Sequence, residues 1–136
     1  MNAKLDLREK LDVAAATRAI AFGRIALGGS YLLAPGLALK LWPGRGGTTD
    51  EDRAMDRLLA RSVGGRDVAL AVGALLALSH DAPVRGWVEA AMLADFVDAL
   101  AIGLTFRRLP RARAVLLFGA SLGTAVAGRF LASSLG

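Results

Sequence analysis

Apolar residues are gathered into four long blocks, at about 18–34, 62–79, 86–106 and 114–135, and polar or Gly/Pro-bearing stretches separate them. A helix rises ~1.5 Å per residue, so each block comes close to or exceeds the ~30 Å hydrocarbon core of a bilayer. The predicted fold class is all-α, an integral membrane four-helix bundle, with 17–136 as one transmembrane domain. Residues 1–16 alternate acids and bases around Leu5, Leu11 and Val13 and predict an interfacial helix or a frayed end. They are not expected to be a signal peptide, because the apolar run behind them contains Arg24.

The punctuation between blocks predicts the connections. Pro35-Gly36 closes the first span, and Leu37 to Trp42 is too short to cross, which makes it an interfacial turn with Trp42 in the aromatic belt. A Gly-rich linker from Pro43 leads to Thr49-Asp50-Glu51-Asp52, a capping hydroxyl followed by acids at the positive end of a helix. The turn at His80 to Pro83 is short enough to set the second and third spans antiparallel. The third span ends at the basic connector Arg107-Arg108-Leu109-Pro110-Arg111-Ala112-Arg113. Small residues recur every four positions at Gly65, Ala69, Gly73 and Ala77, and again at Gly119, Gly123 and Ala127, where they predict close helix packing. Gly119 and Gly123 also offer a seam for a homo-oligomer.

Composition narrows the chemistry. Hydrophobic residues make up 54% of the 136, above the usual ~45–50% of soluble domains. With no cysteine and one histidine, His80, neither a thiolate centre nor a multi-histidine metal site is available, and no metal or other cofactor is expected. The net charge of +5 is carried by cations at the ends of apolar blocks, which predicts membrane lipids rather than nucleic acid as the partner. Nine cations flank the two long connections against five on the other side, so the positive-inside rule predicts an inner-membrane, multi-pass protein with both termini outside.

Seven ionisable residues interrupt the blocks: Arg24, Arg66, Asp67, Glu89, Asp95, Asp98 and Arg129. Charges at membrane depth are functional candidates by default. From the helix rise, Arg24 and Asp95 both lie about 15 Å deep, near the midplane. Arg66 and Asp98 lie about 8 and 12 Å from the side of the long connections, and Arg129 and Glu89 within about 6 Å of the other face. Depth therefore predicts three pairs: Arg24 with Asp95, Arg66 with Asp98, and Arg129 with Glu89 as a structural ion pair. Asp95 and Asp98, three apart, share a helix face with Met92, and Glu89 points away from it. Four carboxylates against three arginines leave one in excess, suited to hold a proton as a general acid.

Gly64-Gly65-Arg66-Asp67, followed by Ala71-Val72-Gly73 and by Asp95 and Asp98 in the next span, resembles the small four-span membrane proteins common in actinobacteria that form an uncharacterised membrane domain. More loosely the chain is similar to DoxX-like membrane proteins. That resemblance covers about 18–106, includes a proline closing the first helix, here Pro35, and implies the four-span fold without an activity. A likeness to integral membrane terpene cyclases concerns only the use of acids from several spans.

Two functions fit. In the first, an intramembrane enzyme cyclises, isomerises or opens an epoxide on a lipophilic small molecule such as an isoprenoid or polyketide. Asp95, Asp98 and Asp67 are its catalytic acids and bases, and Arg24, Arg66 and Met92 its substrate-binding residues. In the second, the charges are structural, within a noncatalytic accessory subunit or an oligomeric carrier.

Overall fold

The computed structural model describes residues 2–41 and 48–135, and every regular element among them is helical. Five α-helices follow in order: α1 (Asn2–Leu33), α2 (Pro35–Leu41), α3 (Asp50–Ser79), α4 (Arg85–Thr105) and α5 (Arg111–Ser133), with a 3-10 turn at Phe106–Arg108 before α5. Trp42 and most of the Gly-rich linker lie outside the described residues. The helix predicted to begin near residue 18 instead starts at Asn2 and runs for 32 residues, so no boundary separates an N-terminal element from the first span. Nothing in the sequence before Gly23 breaks a helix, and the alanines at 14 to 16 favour one.

Punctuation acts where the residues predict it. Pro35 occupies the first position of α2, where its missing N–H removes no helical hydrogen bond. At the start of α3 the Asp52 amide donates to Thr49 Oγ1 at 3.0 Å and the Thr49 amide to Asp52 Oδ2 at 3.2 Å, a reciprocal capping box. After α3, Asp81 takes a left-handed conformation (φ 52°), which lets the Ala82 amide return to the Ala77 carbonyl at 2.9 Å. The tight reversal that follows sets α4 against α3.

Packing divides the bundle into two intimate pairs. α1 lies chiefly against α3 and α4 chiefly against α5, and the pairs meet along α3 and α4. The inward positions alternate in steps of four and three: Thr17, Ala21, Arg24, Gly28 and Tyr31 on α1, and Ala60, Gly64, Asp67, Ala71 and Ala74 on α3. That mean spacing of 3.5 is the seam of helices wound around each other. The two expected rows of small residues do not form such seams. Ala69 is exposed while Gly73 and Ala77 are buried, because strict four-residue steps drift around the helix. Gly119 and Gly123 are exposed with open space beside them, and α5 packs instead through Ala114, Ala125, Gly128 and Ala132.

Small side chains permit this closeness. Gly28 and Gly64 meet at the crossing of α1 and α3, where a Cβ added to Gly28 would stand 2.7 Å from the Gly64 carbonyl oxygen. Gly128 receives Met92 of α4, and Gly73 lies under the Trp87 ring. Among the described residues the buried apolar set is ten alanines and two valines, whereas Phe22, Leu33, Leu104, Leu116 and Phe130 are 60% exposed or more. Large apolar side chains thus face outward and small ones inward. Two helices, α3 and α5, are long and apolar enough to cross a membrane.

Candidate functional site

Five charged side chains converge where the two helix pairs meet. α1 supplies Arg24, α3 supplies Arg66 and Asp67, and α4 supplies Asp95 and Asp98. Arg24 is positioned by the glycine crossing one turn away, which draws α1 close enough to α3 for its guanidinium to reach Asp67. Arg66 and Asp67 are adjacent in sequence, and Asp95 and Asp98 lie one turn apart on the α4 face that meets α3.

The groups form an alternating chain, Asp95–Arg24–Asp67–Arg66–Asp98. Arg24 Nη2 donates to Asp95 Oδ2, and its Nη1 donates to Asp67 Oδ1 at 3.2 Å. The same Asp67 oxygen accepts from Arg66 Nη2 at 3.2 Å and Nε at 3.4 Å. At the far end Arg66 and Asp98 meet fork to fork, Nη1 to Oδ1 at 3.0 Å and Nη2 to Oδ2 at 2.7 Å. Such two-point guanidinium–carboxylate contacts are among the strongest hydrogen-bonded ion pairs.

Exposure grades along the chain. The Arg24 and Asp95 side chains are 13% and 10% exposed, and Arg66 and Asp98 are 33% and 34% exposed. The Arg24 end is enclosed, and the Arg66–Asp98 end is about one-third exposed.

The depth match predicted two of these contacts, Arg24 with Asp95 and Arg66 with Asp98. The third predicted pair does not form. Glu89 accepts from Arg85 Nε at 2.7 Å, one turn back on its own helix, and Arg129 is exposed with no ion pair among the described residues. Equal depth is insufficient there because both side chains point outward from the bundle. Met92 is placed against Gly128, so its base belongs to the α4–α5 seam.

Sequence reasoning left Asp67 without a partner, and the structure makes it the hub that both arginines share. It also overlooked two polar neighbours. Tyr31 of α1 lies within electrostatic reach of Asp67, and Thr124 of α5 stands beside Asp95. The signal for both was positional: Tyr31 is two helical turns beyond Arg24, and Thr124 is the polar residue preceding the inward Ala125. Thr124 brings the last helix to the site.

Comparison with protein-family models, curated proteins and solved structures finds no match. The chemistry of the site therefore rests on its own geometry.

Charge fixes what the arrangement can do. Asp67, Asp95 and Asp98 against Arg24 and Arg66 leave one carboxylate in excess. The cluster thus sets a formal excess of one negative charge beside two guanidinium groups that are already hydrogen-bonded.

Proposed function

We propose that the chain is a four-span inner-membrane protein whose Asp–Arg chain is an acid–base site for a lipophilic small molecule. The placement in lipid is supported by the inverted distribution of side-chain size, since a water-soluble bundle would bury its leucines and phenylalanines. α4 is apolar along most of its length but carries the three acids Glu89, Asp95 and Asp98, and α1 carries Arg24. Arg24, Asp95 and Asp98 each meet an opposite charge within the bundle, the arrangement that makes ionisable groups tolerable in a membrane. The flanking cations favour an orientation with both long connections in the cytoplasm and both termini outside.

The observation that carries the chemical reading is the surplus carboxylate of a charged chain whose Arg66–Asp98 end is partly exposed. A protonated aspartic acid there can donate to an epoxide or alkene, and an ionised neighbour can stabilise the developing cation and recover a proton. Ring opening, cyclisation and isomerisation share these requirements. The substrate class is an isoprenoid- or polyketide-like molecule that reaches the site from the lipid phase.

A noncatalytic reading is favoured by a different observation: every carboxylate of the cluster already meets an arginine. An accessory or oligomeric protein could use such a chain solely to fix helix register. Gly119 and Gly123 would then face a second copy.

Native membranes carrying wild type or Asp98→Asn separate the two. The organic-extractable fraction, profiled by mass spectrometry, should gain an unconverted precursor in the variant at equal protein level. Unchanged profiles with a stably folded variant would remove the enzyme reading.

A further inference from the structure

Between α4 and α5 the chain gathers cations with nothing to balance them. Four of the seven residues from 107 to 113 are arginines, and from Ala99 to Gly136 the sequence contains no acid. Arg107 and Arg108 lie in the 3-10 turn and Arg111 opens α5, whose first turn carries no acid either. All three are exposed, and none makes an ion pair or a side-chain hydrogen bond among the described residues. At the same end of the bundle, Asp50 and Asp52 at the start of α3 are engaged by Arg53 and by Thr49. Next to the turn the exposed surface is apolar: Leu104 before it is 81% exposed, and Val115 and Leu116 after it are 60% and 73% exposed. Unpaired cations at the rim of an exposed apolar band match one leaflet of a bilayer, with acyl chains against the leucines and phosphates against the guanidinium groups.

We propose that the connector between α4 and α5 is a docking surface for anionic phospholipid headgroups, held by Arg107, Arg108 and Arg111 in the leaflet on the side of the long connections. A guanidinium presents its donors in a planar fork that fits the paired oxygens of a phosphodiester, and an acid-free surface leaves that fork available. At the opposite end of the bundle Arg85 is taken up by Glu89, and Arg129 stands alone on α5, so the cation density that selects anionic lipid belongs to one side. The inference rests on the four-span membrane reading and is independent of the acid–base site, because none of the three arginines belongs to the Asp–Arg chain.

Spin-labelled phosphatidylglycerol and phosphatidylcholine test the surface by electron paramagnetic resonance, with the full chain reconstituted in phosphatidylcholine vesicles. The readout is the fraction of each lipid whose motion the protein restricts. Wild type should restrict both and prefer phosphatidylglycerol, by up to about fivefold per arginine, with the preference falling as sodium chloride is raised. The combined variant Arg107→Gln, Arg108→Gln, Arg111→Gln should lose most of that preference while restricting as much phosphatidylcholine as wild type. Lysine at the same three positions should retain a large part of it, and Arg129→Gln should leave most of it in place. Equal restriction of the two lipids by wild type, or a folded glutamine variant that keeps the preference, would overturn the inference alone. Restriction of neither lipid would overturn the membrane placement and the inference with it. A preference removed by inorganic phosphate, and not by sodium chloride of equal ionic strength, would overturn the lipid assignment in favour of a soluble phosphate.

Discussion

Gly28 of α1 and Gly64 of α3 touch backbone to backbone, and Asp67 lies next to that contact: a Cβ on Gly28 would come within 3.1 Å of the Asp67 Cβ. Two absent side chains therefore decide whether Arg24 can reach across to α3. The charged chain is built on that approach.

Gly28→Leu should consequently separate α1 from α3 and loosen the site at once. Overpacking a close contact of this kind costs about 1–3 kcal/mol. Thermal unfolding in detergent should show the loss, while Gly29→Ala, where open space surrounds the position, should be neutral or slightly stabilising. Equal behaviour of the two variants would contradict the crossing.

The shared role of Asp67 predicts an asymmetry between charge losses. Arg24→Gln leaves Asp67 and Asp95 facing each other with one arginine fewer, a situation that costs about 3–5 kcal/mol for buried pairs. Glu89→Gln, which breaks only an exposed pair with Arg85, should change stability by less than about 1 kcal/mol. Denaturant midpoints of the two variants give the comparison.

The capping box sets a pH dependence at the start of α3. The Thr49 hydroxyl, and after it the Thr49 amide, hold the Asp52 carboxyl below the usual carboxylate range. Because its folded value is depressed, the stabilisation is present above the unfolded value and disappears as pH falls through the folded one. Amide exchange in the first turn of α3 should accelerate on the acid side of the carboxylate range, and Thr49→Ala should flatten that dependence. Protection that does not vary with acid pH in wild type would contradict the box.

Topology can be read by labelling, since the chain has no cysteine of its own. Single cysteines at Ala82, in the short turn, and at Ala112, after the basic connector, should react with a membrane-impermeant maleimide from opposite sides. Ala112→Cys should be accessible from the cytoplasm and Ala82→Cys from outside. Labelling of both from one side would exclude the four-span arrangement.

Much of this architecture is written locally. Pro35, Thr49 and the turn after Ser79 act through backbone chemistry within a few residues, so the breaks they make were legible. Depth along a helix is nearly as local, and it matched Arg24 to Asp95 and Arg66 to Asp98. Azimuth is not local. Whether Glu89 faces Arg129, whether Ala69 packs, and whether Thr124 meets Asp95 depend on how the seams of four helices interlock. A periodic pattern of alanines and glycines looks similar from every side, which is why the strict four-residue rows misplaced the interfaces. The start of α1 was missed for a related reason: a charged amphipathic run can continue an apolar helix without any break in the backbone.

The account turns on Arg24 and Asp95 joining the two helix pairs, and a double-mutant cycle measures that contact most directly. Asp95→Asn should be mild, because Arg24 retains Asp67, whereas Arg24→Gln should be severe. Combining them should recover a large part of the Arg24→Gln loss, giving a coupling energy of about 0.5–3 kcal/mol in unfolding experiments on the protein in lipid or detergent. Losses that simply add would contradict the contact.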